Sequence, residues 1–170
     1  AKKSHAVAGN IGTAFSSVVA TMKESDIAVL EVSSFQLDHC ESFRPTISVI
    51  LNITEDHMDR YEHSMERYAA SKARVFMNQK ADDMLIYCAD DPWTVKIVPA
   101  ARCKRLPFSY TTVAEEGAYV ENGVLRVSLG GKNTEVIPLD QMTIKGVHNA
   151  YNAMAAVIVG QLMDVNPASI

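Results

Sequence analysis

Two polar runs in this chain combine residue types and spacing that suit chemistry. The first, Glu31-Val32-Ser33-Ser34-Phe35-Gln36-Leu37, follows the apolar Ile27-Ala28-Val29-Leu30 and sets a carboxylate at the end of that run with hydroxyls beside it. Glu31 there suits a metal ligand; the plainer alternative makes it a solvated edge residue, with Ser33 or Ser34 capping a short helix. The second, Thr54-Glu55-Asp56-His57-Met58-Asp59-Arg60, follows Ile47-Ser48-Val49-Ile50-Leu51-Asn52. Three carboxylates and an imidazole packed this tightly repel one another unless a cation or substrate sits among them. Oxygen ligands with a single His suit Mg²⁺ or Mn²⁺ better than zinc. The alternative is an acidic surface loop with His57 as a bystander.

Lys72 stands out because its neighbours at helical spacing are Tyr68, Ala69, Val75 and Phe76, which puts it on an apolar stripe. Such a lysine either snorkels past its neighbours to water or stays partly desolvated, with a lowered pKa and a neutral amine open to chemistry or modification. Gly9-Asn10-Ile11-Gly12 ahead of a helical stretch offers backbone N–H groups to an anion, a weak signal over four residues. Gly130-Gly131-Lys132-Asn133 departs from a phosphate-binding P-loop, with Arg126 where the first Gly belongs and Asn133 where Ser or Thr belongs. Asn149 and Asn152, within Gly146-Val147-His148-Asn149-Ala150-Tyr151-Asn152, share a helix face and could bond a base or ribose; Asn149 as a helix cap is the alternative.

These side chains need elements to hold them. The β-branched runs 27–30, 47–51 and 84–87 suit strands buried on both faces of a parallel sheet. Helical stretches are expected over 14–22, 64–78 and 92–98, the last capped by Asp90-Asp91-Pro92. This βαβα order predicts an α/β fold, a doubly wound, mostly parallel sheet, with ligands gathering beyond the carboxyl ends of its strands. After Pro107 two turn signals, Asn122-Gly123 and Gly130-Gly131, predict a small antiparallel sheet over about 117–138. A last helix is expected from about Asn149 to Met163.

Composition bounds the function. The chain has 170 residues, 16 Lys and Arg against 20 Asp and Glu, a net charge of −4 and 48% hydrophobic residues. That balance fits one globular domain and argues against a nucleic-acid binder, which needs clustered basic residues. No apolar run approaches the length of a membrane span and the first residues do not read as a signal peptide, so a cytosolic chain is expected. Cys40, Cys88 and Cys103 lack metal-ligand spacing and read as core thiols. The chain starts without Met and opens almost at once on the glycine stretch, which reads as a piece of something longer.

The run from Glu31 to Leu37, the run Leu51-Asn52-Ile53-Thr54-Glu55-Asp56-His57-Met58-Asp59-Arg60-Tyr61 and Tyr68-Ala69-Ala70-Ser71-Lys72 together resemble the central domain of the Mur ligases. The resemblance covers nearly the whole chain. It is strongest to the branch that adds D-glutamate, rather than those that add L-alanine, diaminopimelate or D-Ala-D-Ala, or the folylpolyglutamate synthetases. It implies a P-loop NTPase-like fold and an ATP-dependent amide ligase of peptidoglycan synthesis. ATP would phosphorylate the carboxylate of UDP-N-acetylmuramoyl-L-alanine, and the amine of D-glutamate would attack the acyl phosphate. By the same resemblance Glu31 and His57 match magnesium ligands. Lys72 matches a carbamoylated lysine that helps hold a second Mg²⁺, and with His57 it is expected to serve catalysis. Asn10, Ser33 and Gln36 match substrate-contacting positions, and Asn149 and Asn152 match a nucleotide-contacting helix start.

The resemblance also implies what lies outside these residues: a GTNGKS/T-type P-loop shortly before Gly9, an N-terminal domain that holds the UDP moiety and a C-terminal domain that helps bind ATP. Residues 1–170 are then expected to be part of the central domain, inactive alone and with strand edges that another copy could cover. Two other readings stand beside it. A non-catalytic scaffold of the same fold has no physical need for an acidic cluster near a desolvated lysine. A metal-dependent phosphohydrolase needs a second carboxylate cluster, for which only Asp82-Asp83 and Asp90-Asp91 are available.

Overall fold

The expected alternation of strands and helices is present in the computed structural model, which describes residues 4–165 and separates into two units at the Glu41/Ser42 boundary. In the first unit β1 (His5–Gly9) pairs in parallel with β2 (Ile27–Glu31), with Gly9 opposite Glu31. The helix expected over 14–22 is one α turn, α1 (Phe15–Val18), tightened into a 3-10 turn over Val19–Thr21. A short α2 (Ser34–Leu37) follows β2. The composition of β1 hides it, since two of its five residues are alanine and its last is glycine.

The second unit carries a six-stranded sheet in simple sequence order: β3 (Ile47–Ile50), β4 (Met84–Cys88), β5 (Lys104–Ser109), β6 (Gly117–Glu121), β7 (Val124–Leu129) and β8 (Lys132–Pro138). The pairs from β3 to β6 are parallel and the last two antiparallel, so the α/β, mostly parallel architecture is as expected. The hairpins predicted over 117–138 form, but they continue the parallel sheet through the pairs Phe108–Ala118 and Ser109–Tyr119 instead of standing apart from it. Both turns have positive φ at their two central residues, Asn122 and Gly123, then Gly130 and Gly131, the left-handed geometry that matches strand twist in two-residue hairpins.

Helices cover both faces of this sheet. On one side α5 (Val147–Leu162) lays Met154, Ala155, Val157 and Ile158 against Ile86, Leu106, Phe108, Leu125 and Val127. On the other, α3 (Met65–Ala73) and α4 (Pro92–Ile97) enclose Leu85 with Ile50, Ile53, Phe76 and Val98. Strand β4 therefore alternates its side chains between two cores, Leu85 and Tyr87 to one and Ile86 and Cys88 to the other. Asp91 caps α4 by accepting the Thr94 N–H at 2.6 Å, with Pro92 at the first helical position, as the sequence predicts. Helix α5 starts at Val147, two residues earlier than expected, with Gly146 at its N-cap. Cys88 and Cys103 are buried, whereas Cys40 is only half-buried.

Candidate functional site

In parallel sheets the polar residues just past the strand ends are the ones left to face a ligand, because the strands themselves are enclosed. In the first unit those residues follow β1 and β2. The Asn10 amide N–H donates to the Glu31 carbonyl at 2.8 Å, and its side-chain Nδ2 donates to Glu31 Oε1 at 3.2 Å. Asn10 and Glu31, singled out separately in the sequence, are thus neighbours at one strand end. Ser33 and Gln36 also meet. Gln36 Oε1 accepts from both the Ser33 backbone N–H and the Ser33 hydroxyl at 2.9 Å each, and Ser33 is the N-cap of α2. The helix-capping alternative for this run is therefore realised, and the substrate-contacting expectation for Ser33 and Gln36 applies to residues already bonded to each other.

In the second unit the loop after β3 holds the acidic cluster. Asp56 and His57 are well exposed, at 64% and 51% of their side chains, with His57 Nε2 3.5 Å from Asp56 Oδ2. Asp56 Oδ1 also accepts the His57 backbone N–H at 2.8 Å. His57 has φ +51°, and Glu62 and His63, just past the 3-10 turn Met58–Tyr61, have φ +54° and +57°. Three non-glycine residues in the left-handed region within seven positions cost roughly a kilocalorie each, strain of the kind that concentrates where a side chain must point in one direction.

Helix α3, in the same unit, carries Lys72. Ser64 caps the helix by accepting the Arg67 N–H at 3.3 Å. Tyr68 and Ala69 on the same stripe are buried, Tyr61 stacks on Tyr68 with centroids 5.2 Å apart, and the Tyr61 hydroxyl lies 3.1 Å from the Ser71 hydroxyl. That packing leaves Lys72 half-buried with Nζ 4.9 Å from the centre of the Tyr68 ring. Burial pushes the Lys72 ammonium below the usual lysine range, against an opposing pull from the charges of Asp56 and Tyr61. Burial and the Asp56 charge likewise push the Tyr68 phenol up. The charge of Asp56 thus acts on both groups. Glu31 belongs to the other unit. Among the described residues no three His, Cys, Asp or Glu side chains converge into a ready-made metal cage.

At the start of α5, Asn149 does not occupy the N-cap; its Nδ2 donates to the Lys145 carbonyl at 2.8 Å, and Asn152 is exposed. A pocket of about 140 Å³ beside this helix start is lined by Tyr110, by the 139–145 segment and by Gly146, Val147 and Ala150. Three of the four carboxylates considered as a second metal cluster are committed elsewhere, and the fourth, Asp82, is exposed. Asp83 is bound in a two-point pair by Arg44 (2.7 and 3.1 Å), Asp91 caps α4, and Asp90 accepts four hydrogen bonds. The phosphohydrolase alternative loses its second cluster. Asp90 and its partner Tyr151 escape a reading of the sequence, whose only local signal, Asp90-Asp91-Pro92, points to the cap alone.

Comparison with known proteins bears on the family and the fold. A family model for the Mur ligase middle domain matches residues 2–160. The UDP-N-acetylmuramoylalanine–D-glutamate ligases of Christiangramia forsetii and Salinibacter ruber are 43% and 40% identical over 95% and 94% of this chain. The chain spans only 36% and 35% of those two relatives, about a third of their length. Among solved structures, a UDP-N-acetylmuramoyl-L-alanyl-D-glutamate–2,6-diaminopimelate ligase superposes with a TM-score of 0.63 at 22% identity, over 83% of this chain and 30% of that one. MurF from Thermotoga maritima in complex with ADP gives 0.61 at 17% identity, over 97% of this chain and 40% of that one. Identities this low establish a shared fold. No helix among the described residues is long and apolar enough to cross a membrane. With the family model matching most of its length, this chain belongs to the Mur ligase family, as a middle domain.

Proposed function

We propose that this chain is the central, ATP-using part of a cytoplasmic ligase that joins D-glutamate to UDP-N-acetylmuramoyl-L-alanine in peptidoglycan synthesis, and that residues 1–170 do not catalyse this reaction alone. One observation carries the reading: a half-buried lysine held over Tyr68, its pKa lowered by burial, that feels the charge of Asp56. An amine must be neutral to add CO₂, and desolvation supplies the neutral form at a pH where a solvated lysine stays charged. The resulting carbamate beside Asp56 would bring two negative groups together, an arrangement that calls for a cation. Within the second unit, His57 and a carbamoylated Lys72 near the acidic loop are of the oxygen-rich kind with a single imidazole that suits Mg²⁺ and would hold it. Glu31, in the first unit, is a ligand by the family resemblance alone, and two bound ions would neutralise charge on the phosphoryl group in transfer.

The chain's own residues do the rest by placement. Asn10 steadies Glu31 through its side-chain amide, the left-handed backbone at His57 aims the imidazole, and Asn149 and Asn152 offer amides to the base or ribose. The substrate carboxylate attacks the γ-phosphorus of ATP and ADP leaves. The D-glutamate amine then attacks the acyl carbon, and inorganic phosphate departs as the amide forms. A scaffold would use none of these features. The test is carbon-13 bicarbonate added to the full gene product: a carbamate resonance is expected, absent from Lys72→Ala along with ligase turnover. A Lys72→Ala protein that turns over at the parent rate overturns the reading.

A further inference from the structure

We infer that Asp90 is a positioning residue for the nucleotide, clamping together the turn after β5 and the start of α5, both of which line the pocket there; the inference rests on the nucleotide reading above. Asp90 lies just past β4. Its Oδ1 accepts from the Ser109 hydroxyl at 2.6 Å and the Thr111 hydroxyl at 2.7 Å. Its Oδ2 accepts from the Tyr110 backbone N–H at 2.6 Å and the Tyr151 hydroxyl at 2.8 Å. Ser109, so oriented, accepts in turn from the Thr111 and Thr112 N–H groups at 3.1 and 2.8 Å, which fixes the whole turn after β5. The Tyr151 ring is held between Phe108 and Tyr110, with centroids 6.0 and 6.3 Å away.

One carboxylate thus joins three elements. Tyr110, whose backbone it holds, lines the pocket, while Tyr151, whose hydroxyl it holds, sits on α5 next to Ala150, which also lines it, and between Asn149 and Asn152 in the chain. Asp90 itself does not line the pocket. Burial works against its charge, yet the four donors hold its carboxyl below the usual range, so it stays ionised and the clamp stays closed near neutral pH. The Lys72 centre lies against the opposite helical layer, with α3, so loosening the clamp leaves the reacting end in place.

The effect of breaking the clamp should therefore appear in nucleotide affinity and not in chemistry. The measurement is ATP titration by calorimetry, with steady-state kinetics for all three substrates, on the full gene product. Asp90→Ala should raise the Kd and KM for ATP about tenfold or more, the scale of one lost bond to a charged group, with kcat within about twofold and the other two KM values unmoved. Tyr151→Phe keeps the ring and removes only the α5 tether. It should give a smaller rise of the same kind, and it decides the matter if Asp90→Ala does not fold. Variants that bind ATP as the parent does, or that lose kcat or all three affinities together, overturn the clamp alone. A parent protein that binds no ATP overturns the nucleotide reading and the clamp with it.

Discussion

Strands β3 and β4 lie side by side in register, and each runs into a short acidic segment, yet the two segments have opposite characters. After β4, Asp90 collects four hydrogen bonds and Asp91 caps α4 while also accepting the Ile53 N–H at 3.3 Å. After β3, Asp56 and His57 stay mostly exposed on a backbone bent into the left-handed region. Charge density in the sequence is similar in the two places. What separates them is the supply of donors: Asp90 is enclosed by four N–H and O–H groups, whereas Asp56 accepts the His57 N–H from an exposed position next to left-handed backbone.

Substitutions can break this contrast in a definite order. Lys72→Ala should cost the full gene product about a thousandfold in ligase turnover, about 4 kcal/mol of barrier, while its denaturant midpoint moves little. Asp90→Ala should do the reverse to stability. Removing an acceptor shared by four donors should cost about 3 kcal/mol, read from chemical unfolding. Asp56→Ala, on the exposed loop, should shift unfolding by no more than about 0.5 kcal/mol. If Asp56→Ala destabilised the protein as much as Asp90→Ala, the distinction drawn between the two loops would be wrong.

Acidity sharpens the same comparison. The folded-state pKa of Asp90 lies below its unfolded value, so its contribution is complete above about pH 4 and is lost as pH falls through the folded pKa. Asp90→Asn should therefore flatten the acid limb of the stability curve. Lys72 follows the same sign in a more alkaline window. Its ammonium is disfavoured in the folded state, so its effect on stability turns more favourable as pH rises from the folded pKa towards the ordinary lysine value near 10.4. Titration of the Lys72 Nζ by NMR should give a midpoint below that value, and Tyr68→Ala, which removes much of the desolvating wall, should move it back up.

Local chemistry explains which parts were legible in advance. Asn122-Gly123 and Gly130-Gly131 announce left-handed turns, Asp91-Pro92 announces a helix start, and the spacing around Lys72 announces its buried stripe, because each signal is complete within a few residues. Strand β5 was not legible. Lys104-Arg105-Leu106-Pro107-Phe108-Ser109 opens on two exposed cations and carries a proline, so only its neighbours β4 and β6 make it a strand. The Asp90 clamp was equally hidden, since its donors arrive from 19 to 61 residues away. The run Glu31 to Leu37 was legible in both of its meanings at once. The cap between Ser33 and Gln36 is what the fold makes of it, and the ligand role proposed for Glu31 rests on the family resemblance alone.

Gly9 adds a last consequence. A Cβ on this residue would come within 2.1 Å of the Glu31 carbonyl oxygen, and its φ of +134° disfavours any side chain. The gap between the ends of β1 and β2 is therefore gauged by an atom that is missing. Gly9→Ala would drive a wedge between the two strands at the point where Asn10 and Glu31 stand side by side. That spacing is set by the main chain, so no change of rotamer could restore it.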